Sequence, residues 1–211
     1  MHEKTRKFVA TALILTLFGC ATAVKITEYP FDERPLAAIM PFAYTANLPE
    51  HASSVSGMAD ALAASLLKTG RIRLLERQRI DSVLTEMKLA STGVIDSKTA
   101  AAIGKQLGAR MVVLGSVTSV SVREEGRSVK IAEKTDRWVD VEAEARLVDI
   151  ETGELLASGK TINSAHSAEK HAFGGKVGQL ATPEALVQKA LQGLGDKLAE
   201  DLARNIRPVK K

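Results

Sequence analysis

Two short segments contain residue types that could bind a metal ion or a phosphate group. His166, Glu169 and His171 have nearly the ligand spacing of a zinc-protease motif, but with one residue too many. The stretch from Gly153 to Thr161, GELLASGKT, places its two glycines six positions apart, whereas a phosphate-binding loop needs five and must open a helix. We predict solvated loop histidines in the first segment, and neither a metal site nor a nucleotide site.

Other residue patterns give no reason to predict catalysis. The chain has no Gly-x-Ser-x-Gly nucleophile motif, and its single Cys, Cys20, lies near the amino terminus. Glu76, Arg77 and Arg79 follow a predicted strand, where charged residues commonly cap the next helix or pair at the surface. We therefore predict that the protein is not an enzyme and needs no cofactor.

The amino terminus has the layout of a lipoprotein signal peptide. The first seven residues carry three basic side chains, and residues 8–19 carry no charge and are too few to span a bilayer. Cys20 follows directly, and the residues before it, Leu17, Phe18 and Gly19, have the pattern of the lipobox of bacterial lipoproteins. We predict a signal peptide over 1–19 and a lipidated Cys20 as the mature first residue.

Cleavage before Cys20 changes the charge and predicts a location. The removed segment carries three basic residues and one acidic residue, so the formal net charge falls from +4 to +2. Because no block of basic residues remains, we predict no binding to nucleic acid. Ala21, rather than Asp, follows Cys20, and by the sorting pattern of bacterial lipoproteins this predicts the periplasmic face of the outer membrane.

The rest of the chain is predicted to form a tether, one domain and a short tail. Residues 20–34 show no repeating apolar face and are predicted to be a lipidated tether; its residues 21–34 reach at most about 46 Å when fully extended. Residues 35–207 are predicted to form the domain and residues 208–211 the tail.

Hydrophobic periodicity predicts an α/β (α+β) domain in which helices pack against a mixed sheet. Strands are predicted at 35–43, 71–75, 111–114 and 117–122, and an antiparallel hairpin at 138–162. Helices are predicted at 55–66, 80–87 and 96–107, followed by a long carboxy-terminal helix from Pro183. Asp96 and Thr182 are the predicted caps of the last two helices. Residues 163–181 contain three glycines and few large apolar residues, and we predict a loop there.

The central sequence resembles one known family. Residues 74–118 read LLERQRIDSVLTEMKLASTGVIDSKTAAAIGKQLGARMVVLGSVT, and the hairpin turn further along reads VDIETGELLASGKT. Both segments are similar to the CsgG family of lipoproteins. The resemblance implies an outer-membrane lipoprotein with a periplasmic α/β domain. The family includes the curli secretion channel and holdfast-anchoring components, and similar folds occur in LpoB, an activator of a peptidoglycan synthase.

We therefore predict a non-catalytic lipoprotein that acts in envelope assembly or transport by binding other envelope proteins, and a homo-oligomer is compatible with this prediction. An LpoB-like activator is the main alternative, but a short tether argues against it because an activator must reach through the wall. A subunit of a secretion channel is the second alternative. It would need two membrane hairpins, and charged residues interrupt both candidate segments, 116–149 and 157–181.

Overall fold

The computed structural model of the chain describes residues 26–89 and 95–209. Cys20 and the lipobox residues Leu17, Phe18 and Gly19 lie outside the described residues, as does the predicted signal peptide. Lipidation of Cys20 and the domain boundaries therefore stay predictions.

The described residues form seven strands and four α-helices. The strands are β1 (Leu36–Ile39), β2 (Ala43–Tyr44), β3 (Arg73–Leu74), β4 (Met111–Val129), β5 (Ala132–Asp149), β6 (Leu155–Ala172) and β7 (Gly175–Gly178). The helices are α1 (Met58–Lys68), α2 (Arg77–Glu86), α3 (Ser97–Gln106) and α4 (Pro183–Ala203). Short 3₁₀ helices occupy Phe31–Glu33 and Pro49–His51.

All seven strands belong to one mixed sheet. The strand order is β3-β1-β4-β5-β6-β7, and β2 pairs separately with β4. β1 is parallel to both β3 and β4, whereas β4 to β7 are joined by successive antiparallel pairings. The predicted fold class, a mixed sheet with packed helices, a later antiparallel hairpin and a long carboxy-terminal helix, is confirmed.

The two faces of the sheet are covered by different helices. Val113 on one face belongs to a core cluster that includes Leu66 of α1 and Leu198 of α4. Leu114 on the other face belongs to a second cluster with Ile103 of α3 and side chains of α2. Adjacent residues of β4 thus point into opposite clusters, and this explains why the start of β4 is apolar at every position.

The two predicted helix caps are confirmed. The Asp96 carboxylate accepts hydrogen bonds from the backbone N–H groups of Lys98 and Thr99, at 2.9 and 3.0 Å. The Thr182 hydroxyl accepts one from the N–H of Ala185 at 3.3 Å. Each cap satisfies N–H groups that have no partner within their own helix.

The predicted loop at 163–181 is wrong over most of its length. β6 continues to Ala172 and pairs with β5 as far as Ala132, and β7 then returns along it. The N–H and C=O groups along the edge of β5 need hydrogen-bond partners. The backbone of a polar strand provides these partners as well as the backbone of an apolar strand does. Ala165 still reaches the core, but no residue of 166–178 is buried, and this accounts for the low apolar content of the segment.

Two other predicted strands are longer than their patterns indicated. β4 is one continuous strand from Met111 to Val129, with a register irregularity between Val117 and Ser119. β5 begins at Ala132, six residues before the alternating run that predicted it. These extensions carry charged residues, because neither of their faces enters a core. Their sequence therefore shows no hydrophobic alternation that would predict a strand.

The end of the predicted tether packs against the domain. The Tyr29 hydroxyl donates to the carbonyl of Ile206 at 2.8 Å, and the Tyr29 N–H donates to the carbonyl of Gly70 at 3.0 Å. The Val209 N–H donates to the carbonyl of Glu33 at 2.8 Å, so the carboxy-terminal segment lies over this part of the chain. Residues 29–34 are thus held to the domain rather than standing away from it.

Candidate functional site

The long strands extend past the helices as an arm, defined here as residues 123–137 and 167–178. The ends of β4, β5 and β6, together with all of β7, build it. Asp136 is the one buried residue among these described positions. Surface of this kind is available for contact with another molecule.

Exposed apolar side chains gather at the end of the arm. Val129 ends β4 and Ile131 is the second central residue of the β4–β5 turn, and they are 67% and 63% exposed. Phe173 in the β6–β7 turn is 89% exposed, and Val177 of β7 is 70% exposed. We call these four residues the tip. They are four of the nine large hydrophobic side chains exposed in the described residues, so they form a concentrated apolar surface.

The turn at the tip has unusual backbone geometry. Ala172 pairs with Gly175, which leaves Phe173 and Gly174 as the two central residues of a hairpin turn. Their φ angles are +50° and +76°. Positive φ at both central positions is the pattern of a type I′ turn, which favours Asn or Gly. A Phe in the left-handed region is uncommon and unfavourable.

One ion-pair cluster secures the base of the arm on its polar face. Asp136 Oδ2 lies 2.8 Å from Lys134 Nζ, and Asp136 Oδ1 lies 2.9 Å from Nε2 of His166. The His166 ring stacks on Trp138, with ring centroids 4.9 Å apart. Hydrogen bonds from Lys134 first, and then from His166, hold the pKa of Asp136 below its ordinary value, against the opposing effect of burial.

Beside this cluster, Asp140 joins all three long strands. Its carboxylate accepts hydrogen bonds from the hydroxyls of Ser164 and Ser121 and from the guanidinium of Arg123. The hydrogen bond from Ser164, and next that from Arg123, lower the pKa of Asp140. An ionised Asp140 therefore links β4, β5 and β6 where the arm leaves the core.

A second cluster on the opposite face fixes β7. Glu169 lies 2.7 Å from Lys176 Nζ and 2.6 Å from His171 Nε2, and it accepts a hydrogen bond from the Leu180 N–H at 3.3 Å. These contacts, with that to Lys176 the largest, lower the pKa of Glu169 to about 2. Nearby, the Arg137 guanidinium binds Glu124 at 2.7 Å and donates to the carbonyl of Ala181.

The segments with potential for metal or phosphate binding are all structural parts of this sheet. His166 and His171 lie on opposite faces of β6, in the two different clusters, and Glu169 is shared with a lysine. Gly153 lies in the β5–β6 turn with φ of +74°, and Thr161 lies within β6, with no helix following. Within the described part of the chain, no three His, Cys, Asp or Glu side chains meet in a way that could hold a metal ion.

Glu76, Arg77 and Arg79 lie where β3 leads into α2. Glu76 is the residue before α2, although its side chain makes no capping hydrogen bond. Arg77 pairs with Asp60 of α1 at 2.8 Å and with Asp81 at 3.6 Å. These residues thus lie away from the arm, and Arg77 forms surface pairs as predicted.

Sequence reasoning missed the arm and its tip. Gly174-Gly175 was a usable signal, because paired glycines are typical of a two-residue hairpin turn.

None of the helices within 26–89 and 95–209 is long and apolar enough to cross a membrane.

Comparison with solved structures gives several matches of low sequence identity. The LpoB C-terminal domain from Salmonella enterica is 16% identical, with a TM-score of 0.45, over 64% of this chain and 86% of that one. Lipoprotein GNA1162 from Neisseria meningitidis is 19% identical, with a TM-score of 0.44, over 61% of this chain and 78% of that one. The PelC dodecamer from Paraburkholderia phytofirmans is 12% identical, with a TM-score of 0.37, over 82% of this chain and 94% of that one.

Comparison with curated proteins gives no match. The family model for the curli production assembly/transport component CsgG, by contrast, matches residues 33–208. This range takes in all seven strands and all four α-helices. The chain therefore belongs to the CsgG family.

Proposed function

We propose that this protein is a lipid-anchored, non-catalytic component of the outer membrane that acts in envelope assembly or transport. In this proposal it docks onto another envelope protein through the tip of its arm. The single observation that carries the proposal is Phe173, an aromatic residue with φ of +50° and 89% exposure. Membership of the CsgG family supports the envelope setting.

Phe173 contributes little to the fold of the arm. The left-handed conformation costs a non-glycine residue about 1–2 kcal/mol, and the exposed ring gains no burial in return. Asn or Gly would make the same turn at lower cost. A strained, exposed aromatic residue beside three other apolar side chains is expected where that surface is buried by a partner.

The position of the tip favours a partner other than the anchoring membrane. Tyr29, where the amino-terminal segment packs on the domain, lines the same cleft as Met111 at the start of β4. Val129 ends the same strand, 18 residues further on, which corresponds to a span of up to about 60 Å. An arm anchored through Cys20 projects away from its attachment point, and a protein with an apolar pocket is the partner that its tip fits.

The same geometry bears on the LpoB-like alternative. Because the Thr27 carbonyl accepts a hydrogen bond from Arg71 and Tyr29 is held against the domain, at most residues 20–26 of the tether are left to extend, with a reach of about 23 Å. The tether thus adds little to the length of the arm, and this favours a partner within reach of the arm itself, up to about 60 Å long. The proposal is non-catalytic because the arm carboxylates that are not fully exposed, Asp136 and Glu169, are engaged in ion pairs.

Metabolic labelling tests the lipid anchor. A palmitate analogue should label the wild-type protein, and the label should fractionate with the outer membrane. The Cys20→Ala variant should carry no label and should appear in soluble or unprocessed form. Label that persists on the variant would refute lipidation at Cys20.

Isolation of the complex tests the docking surface. Wild-type protein, purified from detergent-solubilised membranes, should elute with a mass above that of the single mature chain and should include one second protein in fixed ratio. Phe173→Asn should lose that protein, whereas Phe31→Asn, which removes a 64% exposed phenylalanine at the other end of the domain, should keep it.

The mass and identity of the complex separate the alternatives. A peptidoglycan synthase as the partner would favour the LpoB-like activator. A mass that is a multiple of the single chain would favour an oligomer such as a channel. A partner retained equally by both variants would contradict docking through the tip.

A further inference from the structure

An arginine-lined cleft lies at the opposite end of the sheet from the tip. Its volume is about 570 Å³, and its walls come from the segment before β1, the β5–β6 turn and the residues after α4. Four arginines and two carboxylates line it: Arg71, Arg110, Arg204, Arg207, Asp149 and Glu154. The cleft therefore has two more positive than negative side chains.

Arg71 makes one wall of this cleft rigid. Its Nε donates to the carbonyl of Thr27 and its Nη1 to that of Ala203, both at 2.8 Å. Its guanidinium also lies 4.7 Å from the centre of the Tyr29 ring. Tyr29 in turn donates to the carbonyl of Ile206, so Arg71 adds positive charge to the cleft while its Nε and Nη1 hold the amino-terminal and carboxy-terminal segments together.

Arg110 and Arg207 have no such structural role. Both are exposed, and within the part of the chain that the structure describes, neither guanidinium has a hydrogen-bond or ion-pair partner. Arg204 differs, because it pairs with Glu200 at 2.6 Å. The Asp149 carboxylate is also occupied, since it accepts the N–H groups of its own turn. Two unpaired arginines thus face one cleft.

We propose that this cleft binds a phosphate group, with Arg110 and Arg207 as its ligands. The planar guanidinium presents paired N–H groups that match two oxygens of a phosphate, and charge-assisted hydrogen bonds of this kind are among the strongest in proteins. The fixed positive charge of Arg71 adds to the attraction. A phosphate group therefore fits a cleft that has net positive charge and two arginines without other partners.

A lipid headgroup and free phosphate are the two sources of this chemistry. The cleft includes Tyr29, nine residues after Cys20, and so lies within about 30 Å of a lipid anchor at that residue. This location favours a headgroup of the anchoring membrane, and that part of the inference rests on the proposed function. Phosphate binding itself does not depend on the anchor.

Titration with inorganic phosphate tests the site. The full chain, purified in a neutral detergent, is titrated by calorimetry at constant ionic strength, with acetate as the comparison anion. Saturable binding of one phosphate per chain is expected, and the Arg110→Gln/Arg207→Gln double variant should bind at least tenfold more weakly. The Arg79→Gln/Arg127→Gln double variant removes two exposed arginines elsewhere and should bind as the wild type does.

Nanodiscs distinguish the two sources. The protein is reconstituted in phosphatidylcholine alone or with added phosphatidylglycerol, and the phosphate titration is repeated. A weaker apparent phosphate affinity in the presence of phosphatidylglycerol would show that the headgroup occupies the cleft, whereas equal affinities would assign the site to free phosphate.

Two results would overturn the proposal: no saturable phosphate binding in detergent, or equal binding by the Arg110/Arg207 variant and the wild type. Both variant pairs alter exposed side chains, so their melting temperatures should match that of the wild type and exclude misfolding as the cause of lost binding. Palmitate labelling of Cys20 is unaffected by either result, which keeps failure of this site distinct from failure of the anchor.

Discussion

His166 Nε2 lies 2.9 Å from Asp136 Oδ1, and the same histidine ring stacks on Trp138. This contact joins β6 to β5 at the base of the arm, where helix packing ends. Asp136 is buried although it lies on a strand with solvent on both sides, because Lys134 and His166 cover it. Asp136 is therefore one of the two carboxylates, with Asp140, that hold side chains of neighbouring strands at the base of the arm.

Replacement of Asp136 by Asn should lower the melting temperature at pH 7. The folded-state pKa of Asp136 lies below its ordinary value of 3.8, so its contribution to stability is present above pH 3.8 and is lost as the pH falls through the folded-state pKa. The difference in melting temperature between variant and wild type should thus be largest near neutrality and should shrink below pH 3.8. Circular dichroism melts at pH 7 and pH 3 measure it.

The single tryptophan gives a second readout for this variant. Trp138 emission should shift to longer wavelength in Asp136→Asn, because a released His166 no longer covers the ring. Glu125→Gln is the matched control, since Glu125 pairs with Asp136 in the strand register but forms an exposed ion pair with Arg127 at 3.7 Å. Equal shifts in both variants would contradict a specific role for Asp136.

Glu169→Gln should loosen β7 without unfolding the domain. The wild-type pKa is lowered from 4.5 to about 2, so the stabilisation by Glu169 is complete above pH 4.5 and disappears as the pH falls towards 2. Hydrogen exchange at neutral pH should be faster at Leu180 and along β7 in the variant, and core strands should be unaffected. In contrast, Glu133→Gln, an exposed position in the same arm, should leave exchange at Leu180 unchanged.

The parts of the fold that were predictable are those with a buried face. Val113 and Leu114 lie in an apolar run because both faces of β4 are covered there, and Asp96 and Thr182 indicate helix starts because free N–H groups need an acceptor. Hydrophobic periodicity arises from burial, so it correctly identifies the strands and helices that have a buried face.

The arm could not be predicted in this way. Residues 123–137 and 167–172 pair along their backbones, and cross-strand ion pairs replace apolar contacts, so their sequence has no hydrophobic period. The pairing of Glu169 with Lys176 depends on a hairpin whose existence the apolar pattern does not reveal. The cleft is hidden for another reason: Arg110 and Arg207 are 97 residues apart and line one cleft only in the folded chain.

Leu114→Asp should unfold the domain. Leu114 is 5% exposed, between the sheet and the helices α2 and α3. A buried carboxylate without a partner costs several kcal/mol, against a total stability of about 5–15 kcal/mol. Ser128→Asp places the same side chain at an exposed position of the same strand and should melt as the wild type does. A cooperative melt of Leu114→Asp near the wild-type temperature would show that this face of β4 is not packed as described.

The two glycines of α4 should respond differently to alanine. In an exposed helix, each Gly→Ala change would stabilise by about 1 kcal/mol. At Gly195, however, a Cβ would lie 2.8 Å from the carbonyl carbon and oxygen of Ala61 in α1, so the two helix backbones would have to separate. At Gly193 the added Cβ would meet the side-chain amide of Asn163, which can rotate away at the cost of its hydrogen bond to Ala190.

Gly195→Ala should therefore lower the free energy of unfolding by about 1–3 kcal/mol, as overpacked cores do. Gly193→Ala should change it by less than about 1 kcal/mol, because one hydrogen bond is exchanged for better helix propensity. Urea unfolding of both variants measures the difference. A higher stability of Gly195→Ala than of Gly193→Ala would contradict this prediction. It would mean that α1 and α4 can accommodate a methyl group at their crossing, so that close helix packing does not require glycine there.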